Sequence, residues 1–265
     1  MAAATVETEW ATSSDGTRIA FSRDGTGPVL ILVDGAMCYR DFGPAKPFTD
    51  ALRDSFTVVS YDRRGRGESG DSSRYSVQLE LDDLRAVADA VGGSPCVLGF
   101  SSGAGLAYRA AAAGQPMRGL AGYEAPWVGR RGNRDYLADL DRLAAEGRGG
   151  RMVDYFMTKM IGAPFFVPVM FRLMRATWSK LSAVGPTIRY DARVMGGDFE
   201  APVDELARIT VPTLVVWGSK AAPEMAAANA RVADTIPGSE RRVLEGQTHD
   251  VKPTALAPVV RDFFA

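Results

Sequence analysis

The stretch Gly99-Phe100-Ser101-Ser102-Gly103 sets a serine midway between two glycines, directly after the apolar run at 96–98. That spacing suits a sharp strand-to-helix turn. The central residue is held in a strained conformation, and small residues two positions to either side let the neighbouring backbones pass. Such a turn lifts the Ser101 hydroxyl to the start of a helix, with the Ser102 backbone N–H aimed at a developing oxyanion. The Ala-rich segment at 104–113 supplies the helix that the turn requires. A serine hydroxyl also needs a base within hydrogen-bond reach if it is to lose its proton at neutral pH. The chain holds one histidine, His249, in Glu245-Gly246-Gln247-Thr248-His249-Asp250. It follows the last expected strand, where the order nucleophile, acid, histidine puts the base. Together these residues predict nucleophilic acyl chemistry on Ser101 with His249 as its base.

The elements that must position them are legible as short apolar runs, each ending in a Gly- or Asp-rich turn. They lie at 28–35, 56–65, 95–103, 119–126, 212–218 and 241–250, and read as buried parallel strands. Segments 6–14 and 16–25 alternate and are split by Ser-Asp-Gly, which predicts an antiparallel hairpin ahead of them. Between the strands, Val77, Leu81, Leu84, Ala88 and Val91 recur at helical spacing. This alternation predicts an α/β fold, a mostly parallel central sheet with flanking helices. Residues 129–208 break the rhythm with a Met- and aromatic-rich stretch free of strand patterns. They read as an inserted helical cap subdomain over a core formed by 1–128 and 209–265. An adaptable apolar surface of this kind suits a hydrophobic ligand, and Met37, Met157, Met160, Phe165 and Trp178 are the candidates to line its pocket.

Composition excludes several classes. With 265 residues, 46% hydrophobic and a net charge of −1, the chain is a packed globule without the basic excess that nucleic acid demands. The first ten residues lack the charged and apolar regions of a secretory signal, which sets a cytoplasmic expectation. The apolar stretch at 160–171 is too short to span a bilayer and carries two prolines. Cys38 and Cys96, far apart, make neither a disulfide framework nor a zinc site. No dinucleotide fingerprint follows the first parallel strand, so neither metal nor cofactor is expected. The expected partner is a small hydrophobic ester-like substrate, and nothing in the sequence sets an oligomeric state.

Over nearly its whole length the chain resembles the α/β-hydrolase superfamily, in its capped, esterase-like branch. The resemblance is carried by 33–42 as an oxyanion loop and by 61–71 as a D-x-R-G-x-G-x-S loop. The serine elbow, 212–225 as the usual acid-bearing strand and 246–251 as the histidine loop complete it. It implies a serine hydrolase that cleaves a carboxylic ester, lactone or thioester with an apolar acyl or aromatic part. The Ala36 backbone N–H would be the second oxyanion donor beside Ser102, and the arginines at 63–66 would be structural. Two positions depart from the pattern. Asp34 stands where the oxyanion loop usually has histidine, and is expected to be solvated or paired with arginine. Ala221 occupies the usual acid position. Glu124, past the sixth strand, is the first replacement, as in haloalkane dehalogenases. Glu224, Asp250, Asp198 or no acid at all remain open, and with them a non-hydrolytic binding, cyclisation or acyl-transfer reading.

Overall fold

Eight strands join in one sheet in a computed structural model that describes residues 7–130 and 132–265. The expectation of no leader at the amino terminus, the first residue of the hairpin (Val6) and Arg131 at the cap entrance lie outside the described residues. The strands are β1 (Glu9–Thr12), β2 (Arg18–Gly25), β3 (Val29–Val33), β4 (Thr57–Tyr61), β5 (Cys96–Phe100), β6 (Gly119–Tyr123), β7 (Thr213–Gly218) and β8 (Glu240–Leu244). Their order across the sheet is β1-β2-β4-β3-β5-β6-β7-β8. The β1–β2 and β2–β4 pairs are antiparallel, and all later pairs are parallel. The central strands are buried along both faces, which is why they read as unbroken apolar runs rather than alternating ones. From β3 the chain steps to β4 on one side, then returns to β5 on the other. This reversal opens a crevice at the carboxyl ends of β3 and β5, the place where open α/β sheets bind ligands.

Helices α1 (Ala45–Leu52), α2 (Val77–Ala90) and α3 (Ser102–Ala112) connect the first strands. Ser76 caps α2 by accepting the Leu79 N–H, and Leu81, Leu84, Val87 and Ala88 form its buried stripe. Between β6 and β7 lie α4 (Tyr136–Ala145), α5 (Gly149–Tyr155) with a π-helical turn Phe156–Met160, α6 (Phe166–Leu173), α7 (Arg175–Val184), α8 (Ile188–Val194) and α9 (Val203–Leu206). Helices α10 (Pro223–Thr235) and α11 (Pro253–Phe264) complete the chain. One face of the sheet packs on α2, α3 and α10, and the other on α1 and α11. The inserted helices have a core of their own around Tyr136, Leu140, Met152, Val153, Met157 and Ile188. Among the described residues no helix is long and apolar enough to cross a membrane.

Candidate active site

At the end of β5 the chain turns so sharply that Ser101 takes φ 53° and ψ −127°. Glycine at the flanking positions is a steric requirement. A Cβ on Gly99 would lie 2.5 Å from the Ala104 Cα, and one on Gly103 only 2.1 Å from the Val33 carbonyl oxygen. The next residue, Ser102, begins α3, so its N–H has no acceptor within the helix. The loop after β3 closes against the same serine: a Cβ on Gly35 would meet the Ser101 Cβ at 2.9 Å. Ala36 therefore follows directly on a backbone that touches Ser101. Left-handed backbone in residues with side chains costs about 1–3 kcal/mol each and concentrates where geometry is functional. Among the described residues, four non-glycine positions have positive φ, and three of them, Met37, Ser101 and Glu124, belong to this crevice.

His249 sits in the loop between β8 and α11, half-exposed, with its Nε2 3.1 Å from the Ser101 Oγ. Its Nδ1 lies 2.7 Å from the Glu124 Oε2. With the proton on Nδ1 donated to the carboxylate, Nε2 is free to accept the serine proton. The histidine loop is tied to the ends of β6 and β7. The Lys220 N–H donates to the Gln247 carbonyl at 2.9 Å, the Gly246 N–H to the Ser219 hydroxyl at 2.8 Å, and the Tyr123 hydroxyl to the Thr248 carbonyl at 2.5 Å.

Glu124 is 0% exposed and stands one residue past β6, at φ 48°. Its second oxygen, Oε1, accepts the Gly218 N–H at 2.9 Å, so both carboxylate oxygens are engaged. From α10, Asn229 fixes the following residue by accepting the Ala125 N–H and donating to the Ala125 carbonyl. The carboxylate that meets His249 comes from the strand beside β7. β6 and β7 are paired, with Tyr123 opposite Val216, so a glutamate at the end of β6 reaches across one strand spacing. Glu224, Asp250 and Asp198 are not the partners of Nδ1.

Beneath the loop after β3 lies a buried charge cluster. Arg63 bonds Glu80 and Asp191 at 2.7 Å each, and Arg66 reaches Asp191 at 2.6 Å and the Gly35 carbonyl at 2.6 Å. Asp62 accepts the Arg40 and Glu68 N–H groups. These arginines are spent on the fold and on holding the Gly35 carbonyl. Asp191 comes from α8 of the insertion and also accepts the Ser102 hydroxyl at 2.7 Å. Ser102 is thereby a link between elbow and insertion, a contact that no feature of the sequence announces. Asp34 corrects its expectation: it is neither solvated nor paired with arginine. It is 2% exposed, and neither carboxyl oxygen has a hydrogen-bond partner among the described residues. Burial pushes its carboxyl up to about 7 against the pull of Arg66 and Arg63, and Asp62 adds to the rise. It is therefore largely uncharged only below neutral pH. Burial, reinforced by Asp34, pushes the Cys38 thiol up to about 12, which removes it as a nucleophile.

The pocket candidates separate. Met157 and Met160 are buried in the core of the inserted helices, and Met37 of the loop after β3 packs against that core. Phe165 and Trp178 are not buried with them. Phe165 is 81% exposed, and Trp178 packs on Gly150 and lines a groove that contains none of Ser101, His249 and Glu124. Residues three or four apart on a helix share a face, and α6 turns its apolar face to solvent.

The sequence pattern of the Alpha/beta hydrolase family matches residues 27–258. Among solved structures, an alpha/beta hydrolase from Sphaerobacter thermophilus is 43% identical, with a TM-score of 0.88 over 97% of this chain and 100% of its own. An enol-lactonase from Burkholderia xenovorans is 20% identical, with a TM-score of 0.73 over 96% and 99% of the two chains. A thermophilic esterase from Thermogutta terrifontis is 23% identical, with a TM-score of 0.69 over 97% and 96%. The last two likenesses are of fold.

Proposed function

Because the chain belongs to the α/β-hydrolase family, we propose that it is a serine hydrolase acting on a carboxylic ester, lactone or thioester with an apolar acyl or aromatic group. The observation that carries this reading is the unbroken relay from Ser101 Oγ through His249 to Glu124, with spacings of 3.1 and 2.7 Å. His249 Nε2 takes the serine proton as Oγ attacks the substrate carbonyl. The backbone N–H groups of Ala36 and Ser102 receive the oxyanion. Glu124 holds the imidazole in the productive tautomer and stabilises the imidazolium. The imidazolium then gives its proton to the leaving alcohol or thiol, and water enters by the reverse sequence to free the acid. Residues 129–208 act as the cap, with Met37, Met157 and Met160 offering apolar surface to the acyl part. The non-hydrolytic reading drew its force from Ala221 and Asp34, and the contact of Glu124 with His249 at 2.7 Å supports the hydrolytic one on the first count.

A fluorophosphonate probe tests the assignment. Covalent labelling is expected in the native protein and in Ser102→Ala, and none in Ser101→Ala. Labelling that survives Ser101→Ala and vanishes in Ser102→Ala would move the nucleophile. A folded native protein that takes up no probe would remove the hydrolase reading.

A further inference from the structure

The inserted helices carry a face that the proposed chemistry does not use. Phe165, Phe166, Val169, Met170, Leu173 and Met174 recur along one side of α6 and its ends, all about half or more exposed, with Leu173 at 80%. In α6 itself only Pro168 is buried. Apolar side chains scattered singly are ordinary on a protein surface, but a contiguous set on one helix face marks an interaction site. The charge around it is predominantly positive. Residues 148–190 contain Arg148, Arg151, Lys159, Arg172, Arg175, Lys180 and Arg189 against one carboxylate, Asp154, which pairs with Arg172.

Beside this face runs an open groove of about 680 Å³ lined by Arg148, Arg172, Arg175, Trp178 and Ser182. The Arg172 guanidinium stands over the Trp178 ring, 5.3 Å from its centroid. The Ser182 hydroxyl is buried without a hydrogen-bond partner among the described residues. We infer that α6 and this groove form a docking surface for an anionic lipid bilayer. The apolar side chains enter the acyl boundary, and Arg175 with the neighbouring cations takes up headgroup phosphates, Arg148 and Arg172 being paired with Glu146 and Asp154. Three observations favour that occupant. The most exposed side chains, Phe165 and Leu173, project into solvent from the two ends of the same helix face, placed to enter an acyl layer together. The indole sits at the border between the apolar and cationic zones, the level at which tryptophan prefers to meet a membrane. A second copy docked about a two-fold axis would set the same cations against one another. Apolar insertion combined with cationic attraction is the usual basis of binding in the interfacial plane.

The test is co-sedimentation of the full chain with vesicles of phosphatidylcholine alone, or with about 30% phosphatidylglycerol, at about 0.1 M and about 0.5 M salt. Binding to the anionic vesicles is expected to be at least about tenfold tighter, and the preference should fade at the higher salt. The double variant Met170→Ser/Leu173→Ser should weaken it about tenfold or more. Arg175→Glu should abolish the preference while leaving the circular dichroism unchanged. Equal binding to both vesicles, no binding, or binding indifferent to both variants overturns the proposal. So does a dimer in sedimentation velocity that Met170→Ser/Leu173→Ser dissolves without any vesicle binding, because the face would then be an interface between copies. Capture by polyglutamate in the absence of vesicle binding would assign it to an acidic protein instead.

Discussion

Glu124 holds His249 with one oxygen and the Gly218 amide with the other, from a fully buried position. A group anchored in this way supplies both orientation and charge, and substitution can separate the two. Glu124→Gln retains the size and the hydrogen bonds, but it loses the charge and can present an amide N–H to Nδ1, selecting the wrong tautomer. Loss of the corresponding carboxylate in a serine protease costs about 10⁴ in kcat. We expect turnover of p-nitrophenyl acetate by Glu124→Gln to fall by about 10³ or more with KM little changed. Undiminished turnover would remove Glu124 from the relay. Asp34 is the opposite case, a carboxyl with nothing to bond. Its folded value of about 7 lies above the ordinary 3.8, so the folded protein retains a proton that the unfolded chain releases. The stability linked to this group is fully present below about pH 4 and is lost as pH rises through about 7. Asp34→Asn removes that loss. In urea unfolding the variant should gain on the native protein by a few kcal/mol more at pH 8 than at pH 4. A gap that stays constant with pH would show that Asp34 is not held protonated.

At the scale of elements, the site is a meeting of strand ends, and most of it was readable because each end carries its own sequence signal. The elbow declared itself through Gly99 and Gly103, whose missing side chains the close approach of α3 and β3 demands. His249 was identifiable as the one imidazole in the chain. The acid was harder. Glu124 is an ordinary glutamate in sequence, and its role depends on β6 lying beside β7, which only the sheet order supplies. The tie between α8 and the core was invisible for the same reason, since Asp191 meets Arg63 and Arg66 across more than a hundred residues of chain. That tie should be energetically large. Removing one member of a buried ionic cluster costs about 3–5 kcal/mol, because the remaining charges lose compensation. Burial alone would raise the Asp191 carboxyl, but Arg66 and Arg63, with hydrogen bonds from Arg66 and Ser102, hold it below its usual range. Its contribution is therefore present above the ordinary carboxylate value and is lost as pH falls through the lower folded one. Asp191→Asn is expected to lose about 3 kcal/mol or more in urea unfolding at pH 7, and the deficit should shrink below about pH 4. A loss under 1 kcal/mol at pH 7, or one independent of pH, would contradict this account.

For the molecule as a whole, legibility followed burial. Central strands flanked on both faces by helices must be apolar throughout, so their positions stood out in the sequence and β3 to β8 lie within the expected runs or start one residue before them. The inserted helices are each buried on one side only, and their Met and aromatic residues fall on more than one face. Composition announced a helical insertion but could not say which side chains point inward. Phe165 is exposed and Trp178 lines a surface groove, while Met157 and Met160 lie in an apolar core. The same contrast predicts a gradient of stability. The sheet is covered by two large cores, α8 is tied to it by Asp191, and α6 buries a single residue. Segments with few buried contacts open at a free energy well below that of global unfolding. Hydrogen exchange read by mass spectrometry should therefore be slowest in peptides over β5 and β6 and fastest across α6, with α8 following the sheet rather than its neighbours α6 and α7. Protection of α6 equal to that of β5 would mean that the insertion opens only with the core. Exchange in α8 as fast as in α6 would mean that the Asp191 cluster does not couple the insertion to the sheet.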